Sequence, residues 1–205
     1  MKKLIGFTLS EVLITLVIIG VIAAITVPNI IANSNEQAIR SALKKNYSII
    51  SQALDRYYVD NGEHFKSVDY EEVHSFLTKY LNVSKDCYAK GDCDDKNIDY
   101  KTYQDNSKSG WIKFPAGKSV ILTDGTYITY DWTSNGSPVF TIDVNGPFKN
   151  PNKLGVDTFA LSIKEQYNLA PHFEYFDLVC SKKSNYIANG LGCTAKVLQE
   201  GKISY

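Results

Sequence analysis

Phe7-Thr8-Leu9-Ser10-Glu11-Val12-Leu13-Ile14-Thr15-Leu16-Val17-Ile18-Ile19-Gly20-Val21-Ile22 opens the run that decides the fold. Met1-Lys2-Lys3 forms a basic head before it, and from Leu4 to Asn35 the sole charged side chain is Glu11. Val12 to Ile31 is twenty residues without a charge, and about 20 apolar residues span a bilayer core as a helix. The two lysines would stay cytoplasmic by the positive-inside rule. A cleavable secretory signal has a shorter apolar stretch, roughly 7–15 residues, ending in a small-x-small site. Val27-Pro28-Asn29 is a poor end of that kind. A plain single-pass anchor fits the length but leaves Glu11 unexplained. A carboxylate inside a spanning helix costs on the order of 3 kcal/mol and marks a function with a partner.

Outward from this run the chain changes character. Ile39, Leu43, Tyr47, Ile50, Leu54 and Tyr57 recur at three and four residues, one face of an amphipathic helix that Asn61-Gly62 ends. The 54 residues from Phe7 to Asp60 would make a helical rod of roughly 80 Å. Pro28 is expected to interrupt or kink it, since proline lacks a backbone donor and clashes one turn back. A second helix is signalled by Asp69 with Glu72 three residues on, a capping-box spacing. Val73, Phe76, Leu77, Tyr80 and Leu81 give it an apolar face, with His74 on the exposed flank. From Trp111 the chain reads as strands: 119–123 and 126–130 flank Asp124-Gly125, a hairpin signal. Residues 139–143 and 158–163 follow, and 172–180 is a further strand expectation. A helix followed by an antiparallel meander is the α+β pattern.

The 205 residues carry 22 Lys+Arg against 22 Asp+Glu. A nucleic-acid binder normally shows a basic excess, so none is predicted as a partner. Aromatic residues make up 12% of the chain, with 13 Gly and 6 Pro, which excludes collagen-like and low-complexity classes. No nucleophile elbow, phosphate-binding glycine loop or paired-carboxylate motif is present. His64, His74 and His172 show no zinc-like spacing with Cys. The chain is therefore expected to be no enzyme.

Lys2-Lys3-Leu4-Ile5-Gly6-Phe7-Thr8-Leu9-Ser10-Glu11 resembles the class III signal of type IV pilins and type II secretion pseudopilins. The resemblance implies cleavage between Gly6 and Phe7 by a prepilin peptidase, and methylation of the new Phe7 amine. It makes Glu11 the fifth mature residue, where the family carries its Glu, and puts Pro28 where family helices often bend. A free amine titrates at about 8, so the amine that cleavage would create on Phe7 of one subunit is a candidate cation for Glu11 of another. The resemblance implies a leader at 1–6, a transmembrane and polymerisation helix at 7–35, and a globular extracytoplasmic domain at 36–205 that includes an amphipathic helix at 36–60. The implied fold is α+β and pilin-like: a long N-terminal helix packed on a small antiparallel sheet. The implied function is a structural subunit of a type II secretion pseudopilus or related filament. Its partners would be other pilin-like subunits, the peptidase and an inner-membrane assembly platform. It would sit as a single pass in the inner membrane with a cytoplasmic N-terminus, then in an extracytoplasmic filament. Two other readings are a type IV pilus subunit in adhesion or DNA uptake, and a singly anchored extracytoplasmic binding protein.

Two further features stay open. The stretch from Asp143 to Asp157 is similar to an Asp-x-Asn-Gly…Pro-Asn-x-x-Gly-x-Asp-x-Phe segment of pseudopilin-like proteins. Asp143, Asn145, Asn152 and Asp157 either take Ca²⁺ with their oxygens or cap backbone N–H groups as Asx turns, with no cofactor. Lys149 and Lys153 weigh against the metal. Cys87, Cys93, Cys180 and Cys193 allow three pairings. The local one, Cys87–Cys93 and Cys180–Cys193, is expected because each pair brackets a polar, turn-rich loop. The second pair also resembles the C-terminal disulfide loop of many type IV pilins. The first lies beside Asp92, Asp94 and Asp95, whose spacing is not that of an EF-hand.

Overall fold

The computed structural model describes residues 6–66, 69–88, 93, 98–104, 108–114, 118–132, 137–164, 167–172 and 179–203. The basic head, the acidic residues 92 and 94–95, and most of the strand expected at 172–180 lie outside these. The chain divides into two compact units, Met1–Ala38 and Ile39–Tyr205.

Helix α1 runs from Leu9 to Asn61 with Pro28 inside it, so the chain stays helical through the proline and is not interrupted there. Pro28 has no N–H for the carbonyl one turn back. Side-chain donors reinforce the ladder on either side: Thr26 Oγ1 donates to the Ile22 carbonyl at 2.9 Å and Asn29 Nδ2 to the Ile25 carbonyl at 3.3 Å. Ser/Thr hydroxyls and neighbouring groups are the usual means by which a spanning helix tolerates proline.

In the second unit, Leu43, Ile50 and Leu54 of α1 are buried, and Ile39, Tyr47 and Tyr57 pack partly covered beside them. The stripe also hides a polar residue that periodicity does not flag. Asn46 is fully buried, and its Nδ2 donates to the Ala42 carbonyl at 2.9 Å and to Thr126 Oγ1 at 3.2 Å. Helix α2, Tyr70–Tyr80, starts at the predicted cap, with Asp69 Oδ1 accepting from the N–H of Glu71 at 2.6 Å and of Glu72 at 3.4 Å. Val73, Phe76 and Leu77 are its buried residues.

The strands are β1 Val83–Asp86, β2 Ile98–Lys101, β3 Lys108–Phe114, β4 Ser119–Leu122, β5 Tyr127–Trp132, β6 Pro138–Asp143, β7 Thr158–Ile163 and β8 Leu169–Pro171. Among the described residues they form a six-stranded sheet, β1-β4-β5-β6-β7-β8, and a two-stranded sheet, β2-β3. Every ladder in both sheets is antiparallel. The β4–β5 hairpin turns at Asp124-Gly125, where Gly125 takes φ 88° and Asp124 Oδ1 accepts from the Thr126 N–H at 3.0 Å. Lys45 of α1 reaches the same aspartate at 2.7 Å. Strands β6 and β7 are buried along their whole length. The chain closes with α3, Cys193–Glu200, and Arg40 Nη1 of α1 donates to the Gly201 carbonyl just beyond it. This is an α+β, pilin-like fold, a long N-terminal helix with a small antiparallel sheet.

Candidate functional site

Gly6, Phe7 and Thr8 precede α1, and Glu11 occupies its first turn. Thr8 and Glu11 cap the helix reciprocally. Thr8 N–H and Thr8 Oγ1 both donate to Glu11 Oε2 at 2.8 Å, and the Glu11 N–H reaches Thr8 Oγ1 at 3.3 Å. This is a capping box, which satisfies donors that a helix start leaves orphaned. A carboxylate here also meets the positive end of the helix dipole. The sequence holds the signal, Thr8 three residues before Glu11, but a search for opposite charges passes over a hydroxyl. Glu11 thus has a neutral partner inside its own chain.

From Val12 to Ile31 the helix is apolar on every side. Leu13, Val17, Ile18, Ile22 and Ile25 are all more than half exposed, and so are Phe7, Leu16, Ile19 and Val21. These residues occupy all angles around the axis, so no single face marks a docking stripe. The helix is long and apolar enough to cross a membrane.

The second candidate is the β6–β7 connection. Asp143 Oδ1 accepts from the N–H of Asn145 at 3.2 Å and of Gly146 at 2.9 Å. Its other oxygen takes the Tyr100 hydroxyl at 2.6 Å. Asp157 accepts from the N–H of Asn152 at 2.9 Å and of Lys153 at 2.7 Å, and from Thr158 Oγ1 at 3.2 Å. Asn152 Nδ2 donates to the Pro147 carbonyl at 2.8 Å. The four residues named from sequence are therefore gathered in one loop, where both carboxylates are used as turn caps. Tyr100, from β2, was not legible as a member. Both aspartates are fully buried. Burial, and then the Asp157 charge, push Asp143 up to about 7, while burial also raises Asp157. The side-chain oxygens of Asn145 and Asn152 have no donor among the described residues. No cluster of three or more His, Cys, Asp or Glu there is placed to hold a metal.

Cys87 is bonded to Cys93 and Cys180 to Cys193, with Cα separations of 5.2 and 4.9 Å. The second bridge ties the start of α3 to the loop before it. His74 departs from expectation. It is not on an exposed flank: its side chain is 14% exposed, with Nε2 at 2.9 Å from Asp86 Oδ2 and its ring 4.4 Å from that of Tyr88.

Residues 1–27 match the family model described as the prokaryotic N-terminal methylation motif. The chain is also similar to type II secretion system core protein G of several bacteria. It is 33% identical to the Vibrio cholerae protein over 91 residues, 44% of this chain and 60% of that one. It is 38% identical to the Klebsiella pneumoniae protein over 64 residues, 31% of this chain and 45% of that one. For the Escherichia coli K12 protein the figure is 41% over 56 residues, 27% of this chain and 38% of that one. The chain thus spans 60% or less of the length of these three relatives. No solved structure matches it. The N-terminal segment thus carries the prokaryotic N-terminal methylation motif, and the chain is similar to type II secretion pseudopilins.

Proposed function

We propose that the chain is a structural subunit of a type II secretion pseudopilus or a related pilus-like filament. One observation carries the reading. As far as Asn35, helix α1 exposes apolar side chains all round and carries a single carboxylate, Glu11, in its first turn, five residues after Gly6. Such a surface belongs in lipid or among like helices. In this reading a prepilin peptidase cuts between Gly6 and Phe7 and the new amine is methylated. The helix stays in the inner membrane with its N-terminus cytoplasmic, until an assembly platform moves it into a filament beside other pilin-like subunits. There the Phe7 amine of one subunit pairs with Glu11 of the next, a contact made directional by the low dielectric around it. The similarity to core protein G favours secretion over a type IV pilus. The chain itself catalyses nothing in this scheme.

Glu11 caps its own helix, so the test must separate capping from charge. Glu11→Ala removes both, whereas Glu11→Gln keeps the capping acceptor and removes only the charge. Both variants should be processed and inserted like the parent, and both should lose most inter-subunit cross-linking in membranes that assemble filaments. Normal cross-linking of Glu11→Gln would limit the carboxylate to a cap, and a singly anchored protein that never polymerises would then fit better.

For the β6–β7 loop we infer an ion-free Asx-turn structure, supported by the N–H and O–H donors on both carboxylates. Millimolar calcium should then leave thermal unfolding unshifted. A rise in the midpoint, as expected for an ion that binds only the native state, would assign Asp143, Asn145, Asn152 and Asp157 to Ca²⁺.

A further inference from the structure

At the C-terminal end of α1 the second unit carries a cleft of about 790 Å³, bounded by α2 and by Tyr167, which lies between β7 and β8. That is within the usual range for small-molecule sites, roughly 300–1,000 Å³. Its floor is aromatic. The Tyr57 ring meets Phe65, Tyr80 and Phe76 edge-on, with centroids at 5.1, 5.8 and 6.0 Å. Its rim is a three-ring stack in which His64 lies 4.4 Å from Tyr58 and 4.7 Å from Tyr167, the latter pair tilted by 2°. Tyr58 remains 46% and Tyr167 37% exposed, so the stack leaves aromatic surface open to solvent.

We propose that this cleft is a saccharide-binding site for a short run of uncharged pyranose rings. Pyranoses have apolar C–H faces that lie on aromatic rings and a girdle of hydroxyls that both donate and accept. The lining supplies both chemistries. Glu63 and Glu72 offer acceptors, Lys66 and Lys79 offer donors, and Asn61 adds an amide whose Nδ2 donates to the Tyr57 carbonyl at 2.8 Å. Two carboxylates against two ammonium groups leave no net charge, so a polyanion finds no excess of positive charge there. So polar a wall also suits a lipid or other apolar ligand poorly. Burial and the nearby Glu63 and Glu72 carboxylates push the Tyr57 hydroxyl upward, which keeps it protonated and able to donate.

Tyr167 is the second observation. It sits at φ 58°, a left-handed conformation in which a bulky side chain is strained and which glycine or asparagine adopts with ease. The turn itself is made by backbone bonds, Tyr167 N–H to the Lys164 carbonyl at 2.8 Å and Lys164 N–H to the Asn168 carbonyl at 3.0 Å. Those bonds need no tyrosine. What tyrosine adds is a ring at the mouth of the cleft, and strain retained at such a position points to function.

The test uses the full chain in a detergent without sugar headgroups, since a glycosidic detergent would compete. Cellotetraose, chitotetraose and maltotetraose are titrated calorimetrically, with a heparin-derived tetrasaccharide as the polyanionic comparison. At least one uncharged sugar should bind with Kd below ~1 mM and more tightly than the heparin fragment. Tyr58→Ala and Tyr167→Asn should each weaken it about tenfold or more, the loss expected of an aromatic anchor. Thermal unfolding of Tyr167→Asn should be unchanged or raised, because asparagine relieves the strained backbone. Absence of binding by all three sugars, equal or tighter heparin binding, variants that bind like the parent, or a lowered midpoint for Tyr167→Asn would each overturn the proposal. None of these outcomes involves filament assembly, so they leave the pseudopilin reading untouched.

Discussion

Asp143 and Asp157 share the β6–β7 loop, both fully buried, and the Asp157 charge disfavours a second charge on Asp143. Burial, and then the Asp157 charge, push Asp143 from an ordinary 3.8 up to about 7 in the fold. A carboxyl that holds its proton more tightly folded than unfolded stabilises the fold at low pH and loses that contribution as pH rises through the folded value. For Asp143 the window runs from about 4 to about 7. Asp143→Asn keeps an oxygen for the N–H groups of Asn145 and Gly146 and carries no charge. Its stability relative to the parent should therefore climb across that window, measured by denaturant unfolding in the presence of a chelator. His172 slopes the other way, because burial and the Lys164 charge push it down to about 4. Reading the difference between the two proteins cancels it. A difference that stays flat between pH 4 and 7 would mean that Asp143 is ionised throughout.

Among the elements, the C-terminal disulfide and α3 act together. Cys193 begins α3, and its bond to Cys180 closes a loop of 13 residues' separation. Gly192 caps that helix without any side-chain hydrogen bond, so burial of Cys193, Thr194, Ala195 and Val197 must hold its start. The Cys180→Ser/Cys193→Ser pair should cost about 3 kcal/mol in the chain-entropy model, read as a lower denaturant midpoint. A loss no larger than that of an exposed serine substitution would show that packing alone fixes the end of the chain. The same absence of a cap explains why α3 was illegible, whereas α2 announced itself through Asp69. Strand β1 was illegible for a different reason. Val-Ser-Lys-Asp has one apolar residue, and its register comes from β4, where Val83 faces Leu122 and Asp86 faces Val120. Strands β4 to β7 were readable because turn residues and β-branched runs agree with their burial. The Thr8–Glu11 cap was present in the sequence. Tyr100 on Asp143 was not, because the two are 43 residues apart and only the folded sheet brings them together.

At the scale of the molecule, the two units follow opposite rules. Most apolar side chains among the described residues of the second unit are buried in a core built on the sheet, as a domain that folds in water must arrange them. Residues up to 38 expose theirs along α1, which water would not tolerate for long and which a bilayer or a bundle of equivalent helices satisfies. In the proposed reading Gly6 leaves room for a protease to approach the backbone, and Glu11 would pair with an amine that exists only after cleavage. Intact-mass analysis of the protein isolated from membranes tests it most directly. The account predicts a chain that has lost Met1 to Gly6 and gained one methyl group on Phe7. A mature chain beginning at Met1, or near Asn29 after an ordinary secretory cut, would contradict it.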